Sequence, residues 1–156
     1  GMRPVCGRAA GAALAGAAKL VDEGVAEGDD SQDDNIIAAR DYAEDFALQN
    51  AAGNQFLALD RNDANEVNGG VVVGYIDDPL DLGDEMVTDD VSLYNSVEVQ
   101  TSLSHTMNSP LGLFLGGITG VQELEMSAKA TATLEDRVVG FTPSESENLM
   151  MLPFTA

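Results

Sequence analysis

Two stretches of this chain alternate strictly between apolar and polar residues, and that alternation limits the possible folds more than any other feature. Leu124, Met126, Ala128, Ala130 and Ala132 alternate with Glu125, Ser127, Lys129, Thr131 and Thr133. Val97, Val99, Thr101 and Leu103 alternate with Glu98, Gln100, Ser102 and Ser104. Successive side chains of a strand point to opposite faces, so a period of two predicts two half-buried strands. Each needs a second layer to cover its apolar face.

The N-terminal third supplies that layer. From Val5 to Val21 the chain is dominated by Ala and Gly, with Lys19 near the end. Ala is the strongest helix former, and a cation suits a last turn. Gly7, Gly11 and Gly16 each weaken such a helix by about 1 kcal/mol relative to Ala, but they also let a helix or sheet approach closely. Gly24 to Asp30 forms an acidic break. Ser31 with Asp34 then predicts an N-cap pair, and Asp33 and Asp34 suit a first turn. The second helix runs to about Asn50 and is stopped by Gly53-Asn54. Its apolar face comprises Ile36, Ala39, Ala43, Phe46, Ala47 and Asn50, with Asp41, Glu44 and Asp45 turned away.

Val71 to Ile76, after Asn68-Gly69-Gly70, predicts a third short strand. Ser109-Pro110 predicts a helix start, so Leu111 to Leu115 read as a short apolar helix closed by Gly116-Gly117. A helix-bearing connection between the two main strands would also permit a parallel crossover. The expected fold is therefore α+β: two N-terminal helices packed on a small antiparallel or mixed sheet of three to five strands. Residues 1–142 are expected to form one domain. Residues 143–156 carry Pro143, Pro153 and an apolar run from Leu149 to Leu152, and are expected to be an extended tail cut from a longer protein. Gly1 before Met2 reads as a remnant of expression.

Charge narrows the function. There are 27 acidic and 7 basic residues, a formal net charge of -20. Nucleic-acid binding needs cations to replace phosphate counterions, so that class is excluded, and anionic membrane surfaces are disfavoured on the same ground. A basic protein partner or a divalent cation fits. The acids cluster between Asp22 and Asp45 and between Asp77 and Asp90. They read either as solvated loops and helix ends or as a surface for a cation or basic partner.

Few residues suggest chemistry. His105 is the only histidine and Cys6 the only cysteine. A triad needs a nucleophile, a base and an orienting acid, and no such spacing is visible around either. His105 therefore reads as a strand-end structural residue, and a hydrolase using Cys6 or His105 has only the presence of both residues behind it. Asn68-Gly69-Gly70 lacks the Lys and Ser/Thr of a phosphate loop. Asp60, Asn62, Asp63, Asn65 and Glu66 form an oxygen-rich string. Calcium takes six to eight such oxygens, but the glycine and distal glutamate of an EF-hand are missing. The string reads either as a calcium loop or as an Asn/Asp turn leading into the next strand.

The order of these features resembles TadE/TadG-like proteins of tight-adherence (Flp-type) pilus assembly. Gly7-Arg8-Ala9-Ala10-Gly11-Ala12-Ala13-Leu14-Ala15-Gly16-Ala17 is similar to that family's Gln-x-Ala-Ala-Asp-Ala-Ala-Ala-Leu-Ala-Gly-Ala segment. Ala39, Tyr42 and Ala43 are similar to its next helix, and Asn95 to Val99 to its Asn-x-Val-x-Val strand. Leu111 to Gly116 resembles its Pro-Leu-Phe-Phe-Ala helix, and Val121 to Ala132 its alternating strand. Phe141-Thr142-Pro143 and Asn148 to Phe154 resemble the start of the downstream region in longer members. Gly11 replaces the usual Asp, one Ala is missing, the transmembrane helix is not in this sequence, and Asp77 to Asp90 has no counterpart. The resemblance implies a pilin-like, non-enzymatic interaction or structural module without a cofactor. It implies an N-terminal membrane anchor, a place in the cell envelope outside the cytoplasm, and protein partners in the pilus machinery. A calcium-stabilised extracellular adhesion domain is the alternative that the acidic loops support.

Overall fold

The computed structural model describes residues 5–20, 31–50, 56–81, 83–114 and 116–135. The acidic break, the Gly53-Asn54 stop and the C-terminal tail lie outside them. The fold is α+β. Helix α1 spans Val5–Ala17 and α2 spans Ser31–Gln49. Strand β1 is Val71–Gly74 and β2 is Ser96–Leu103. After them come β3 (Leu111–Gly112), α3 (Gly116–Thr119), β4 (Glu123–Leu124) and β5 (Met126–Thr133). One 3-10 turn, Val91–Leu93, precedes β2.

The main sheet has the order β1-β2-β5 and is antiparallel throughout. Val97 faces Val73 on one side and Ala132 on the other, and Val99 faces Val71 and Ala130. The antiparallel pairing of β2 with β5 settles the open question of a crossover. The chain between them leaves the sheet as the β3–β4 ribbon and returns.

Both helices cover one face of this sheet, with α1 against β5 and β2 and α2 beside α1. On α1 the buried residues Ala9, Ala12, Ala13 and Ala17 recur at helical spacing. On α2 the inner residues are Ile36, Ala39, Ala43 and Ala47, as the periodicity predicts, with Phe46 partly buried. Alanines keep the helices close, so the bulk of the core comes from the other layer: Leu57, Leu103, Val71, Val73, Val97 and Val99. Each such aliphatic side chain stabilises the fold by about 1.5–3 kcal/mol on full burial.

Two predicted elements are corrected. The helix expected from Leu111 does not begin there: Leu111–Gly112 is β3, and a helix starts at Gly116, where the stop was expected. Asn108 and Ser109 adopt positive φ (62° and 54°), so the chain turns sharply before Pro110. An N-cap needs extended backbone there, and the turn instead aims Leu111 at Leu124. Gly120, at φ 78°, follows the short helix and ends it. The third strand also stops early, at Gly74. A side chain at that position would meet Met86 Cγ at 2.6 Å and the Val87 carbonyl at 2.7 Å. Tyr75 pairs with Val87 instead, in two backbone hydrogen bonds of 2.8 and 2.9 Å, closing the acidic loop between them.

Candidate functional site

The oxygen-rich string folds into a set of amide clamps. Asn62 accepts a hydrogen bond from the Glu66 N–H (2.9 Å) and donates to the Glu66 carbonyl (2.8 Å) and the Val71 carbonyl (2.9 Å). Asn65 accepts from the Val73 N–H (2.9 Å) and donates to the Val73 carbonyl (2.8 Å). A side-chain amide has one acceptor oxygen and two donor hydrogens, so it can grip both polar groups of one residue as a neighbouring strand would. These two therefore close the free edge of β1. The same device recurs twice. Asn95 grips Ile76 at 3.0 Å through both groups. Asn108 grips Ala58 at 2.7 and 2.9 Å, and also reaches the Ser102 carbonyl. Asn62, Asn65 and Asn108 all take positive φ, which Asn tolerates better than most residues.

Arg40 completes this corner. It is buried, and its Nη2 donates to Asn65 Oδ1 at 3.0 Å. Desolvation lowers its pKa, opposed by the nearby Asp63 carboxylate. Tyr94 donates to the Thr88 carbonyl (2.7 Å) and accepts from Asn65 (3.3 Å); burial raises its pKa. Arg40 stands four residues after Ile36 and three before Ala43, so helical spacing itself puts it on the inner face of α2; only its charge sets it apart from the apolar residues there.

Of the proposed calcium ligands, the oxygens of Asn62 and Asn65 thus face N–H donors. Asp60 accepts from the Asn62 N–H at 3.1 Å, and Asp63 pairs with Arg61 at 2.9 Å. Arg61 also pairs with Asp41. In the second acidic stretch the carboxylates hold their own loop. Asp84 accepts from the N–H groups of Asp77 and Asp78, Asp78 from Leu80, and Asp81 from Gly83. Asp90 accepts from the backbone and hydroxyl of Ser92, which lowers its pKa. Among the described residues no three acidic, histidine or cysteine groups converge on a possible metal position. We expect millimolar calcium to leave the melting temperature unchanged; a clear rise in calorimetry, as binding linkage requires, would show that these loops rearrange around the ion.

His105 sits at the end of β2, largely exposed. Its Nε2 lies 3.2 Å from Glu123 and its N–H donates to Glu125 at 3.1 Å, so it ties β2 to the returning chain. Cys6 is exposed on α1.

Two surface features remain. The outer face of the sheet carries a groove of about 470 Å³, with Val72, Ile76 and Met86 in its lining and Asp84, Glu85 and Glu98 as its acids. Lys129 lies in it, paired with Glu98 at 2.8 Å. The second feature is the β3–β4 ribbon, which displays Leu113, Phe114, Ile118 and Leu124 to solvent. Phe114 is fully exposed and Ile118 84% exposed. Exposed apolar residues are ordinary on a protein surface, and Leu14, Phe56, Val67 and Leu80 are exposed elsewhere as well.

Comparison of the chain with family models, with curated proteins and with solved structures gave no match. No helix of the described residues is long and apolar enough to cross a membrane.

Proposed function

We propose that the chain is a non-enzymatic interaction module of a membrane-anchored, pilin-like protein of the tight-adherence pilus-assembly type, acting outside the cytoplasm. The observation that carries this reading is the position of α1. The Ala- and Gly-rich segment on which the resemblance rests is a helix laid on β5 and β2, the strands that correspond to two further motifs of the resemblance. The exposed apolar ribbon adds a surface suited to a partner, and the carboxylates that could have suggested chemistry are engaged in loop closure.

The test is to place the chain in its complete reading frame, tag it and fractionate cells. The expected result is an apolar stretch of about 20 residues upstream of α1, the length a bilayer span requires. The protein should then sit in the membrane fraction, with the domain open to protease from outside the cytoplasm. A cytoplasmic protein without an anchor overturns the proposal.

A further inference from the structure

Among the described residues strand β5 ends the main sheet, and no strand pairs with its far side. The Leu134 N–H donates to the Asn95 carbonyl at 2.8 Å, which fixes the phase of the ladder. In an antiparallel pair the residues that exchange hydrogen bonds alternate with those that do not. Met126, Ala128, Ala130 and Ala132 therefore bond to β2, and the backbone groups of Ser127, Lys129, Thr131 and Thr133 point away from the sheet. No strand among the described residues pairs with them. The edge of β1, by contrast, is closed by the clamps of Asn62 and Asn65.

Open edges are normally blunted by proline, bulges or outward charge. This one is eight residues long and has no proline. Its one charged side chain, Lys129, is drawn onto Glu98 at 2.8 Å. Both flanks of the edge are also defined. On the inner side, α2 meets α1 along Gly11 and Gly16. Ala10 and Leu14 lie on the opposite flank of α1 and are exposed, and α1 itself packs on β5. On the outer side, Thr131 and Thr133 border a hollow shared with Asp81 and Asp84, and Glu85 lies beside them in the groove.

We propose that the β5 edge accepts an extended segment of another protein as an added strand, one with basic residues at alternate positions. Its backbone would satisfy the four outward residues of β5. Alternate side chains then fall on opposite faces. One set lies toward Asp81, Asp84 and Glu85, and the other lies on the α1 side of the sheet. A second copy of this chain does not suit the edge, because two chains of formal charge -20 would bring like-charged rims together. The inference rests on reading the chain as an interaction module, but not on its anchorage, which fractionation tests separately.

The probe is a short peptide of alternating lysine and valine, titrated into the full chain. A peptide of alternating glutamate and valine is the control. The expected result is binding of the lysine peptide only, with new hydrogen-exchange protection at Ser127, Lys129, Thr131 and Thr133. Thr131→Pro removes one outward N–H and leaves the β2 ladder intact, because proline is tolerated on an edge. It should weaken binding by about tenfold, the effect of losing one buried backbone hydrogen bond and bending the strand. Glu85→Gln should weaken it less and reduce its salt dependence. Equal binding to folded Thr131→Pro, or binding without protection of those amides, overturns the proposal and leaves only charge attraction. Concentration-dependent dimerisation abolished by Thr131→Pro overturns it in favour of self-pairing.

Discussion

Replacing Asn65 by Ala is expected to lower the unfolding free energy by about 3 kcal/mol, as a part-buried charged hydrogen bond and two unsatisfied backbone groups together imply. Asn65 uses its whole hydrogen-bonding capacity. Its oxygen accepts from the Val73 N–H and Arg40, and its nitrogen donates to the Val73 carbonyl and the Tyr94 hydroxyl. Without it, both polar groups of Val73, in a fully buried strand, lose their partner. The buried Arg40 guanidinium loses an acceptor, and its Nε has no partner among the described residues. The backbone at φ 54° adds strain that Ala bears less well than Asn.

Three variants separate these contributions. Asn65→Gly removes the clamp but relieves the positive φ, so it should cost about 1 kcal/mol less than Ala. Asn65→Asp keeps the acceptor for Val73 and a charge for Arg40, but turns an oxygen toward the Val73 carbonyl. It should cost less than Ala. Urea unfolding of the set reads this directly. Domains of this size stand only about 5–15 kcal/mol above their unfolded states, so the Ala variant should melt far below the parent. A loss under about 1 kcal/mol for Ala would mean that water replaces the clamp without penalty, as a net hydrogen bond at an exposed site allows.

The clamps also show where sequence reading stops. The two helices, the faces of α2 and the strands around Val97 and Ala130 follow from periodicity, because repeated burial imposes a repeat on the residues. The string from Asp60 to Glu66 has no period. Its residues are good cation ligands and good turn formers for the same reason, namely short side chains ending in oxygen. Which role they take depends on whether an N–H group faces that oxygen, and this is settled by contacts such as Asn65 to Val73. Leu57 and Leu59 escape notice similarly: both are buried, yet they lie in irregular backbone that leaves no pattern. The misplaced helix at Leu111 has the opposite cause. Ser-Pro is a sound local helix signal, but pairing of Leu111 with Leu124, far along the chain, overrides it.

The glycines of α1 should respond to alanine in a graded series whose sign changes along one helix. Alanine at a compatible helical glycine stabilises by about 0.4–1 kcal/mol. A methyl group at Gly7 would have nothing within 4 Å, and the position is exposed, so Gly7→Ala should show that full gain. At Gly11 a methyl group would strike the Phe46 ring, which is only partly buried and can swing outward. The gain and the displacement should roughly cancel. At Gly16 the methyl would lie 2.8 Å from the Ala39 carbonyl oxygen, 3.2 Å from Val97 and 3.4 Å from Ala43. The nearest of these is backbone of α2 and the others are short side chains of the sheet and of α2 that cannot swing aside, so the helix itself must move. Overpacking of this kind costs about 1–3 kcal/mol, and a larger residue such as Leu should exceed it. Thermal melts of Gly7→Ala, Gly11→Ala and Gly16→Ala should therefore run up, level and down. Because Gly16 touches α2 and β2 at once, its failure should loosen the whole helical layer, and hydrogen exchange should rise across α1 and α2 together. A stabilised Gly16→Ala would mean that α1 does not sit at the closest approach of the two layers, and the small-residue face would then have no packing role.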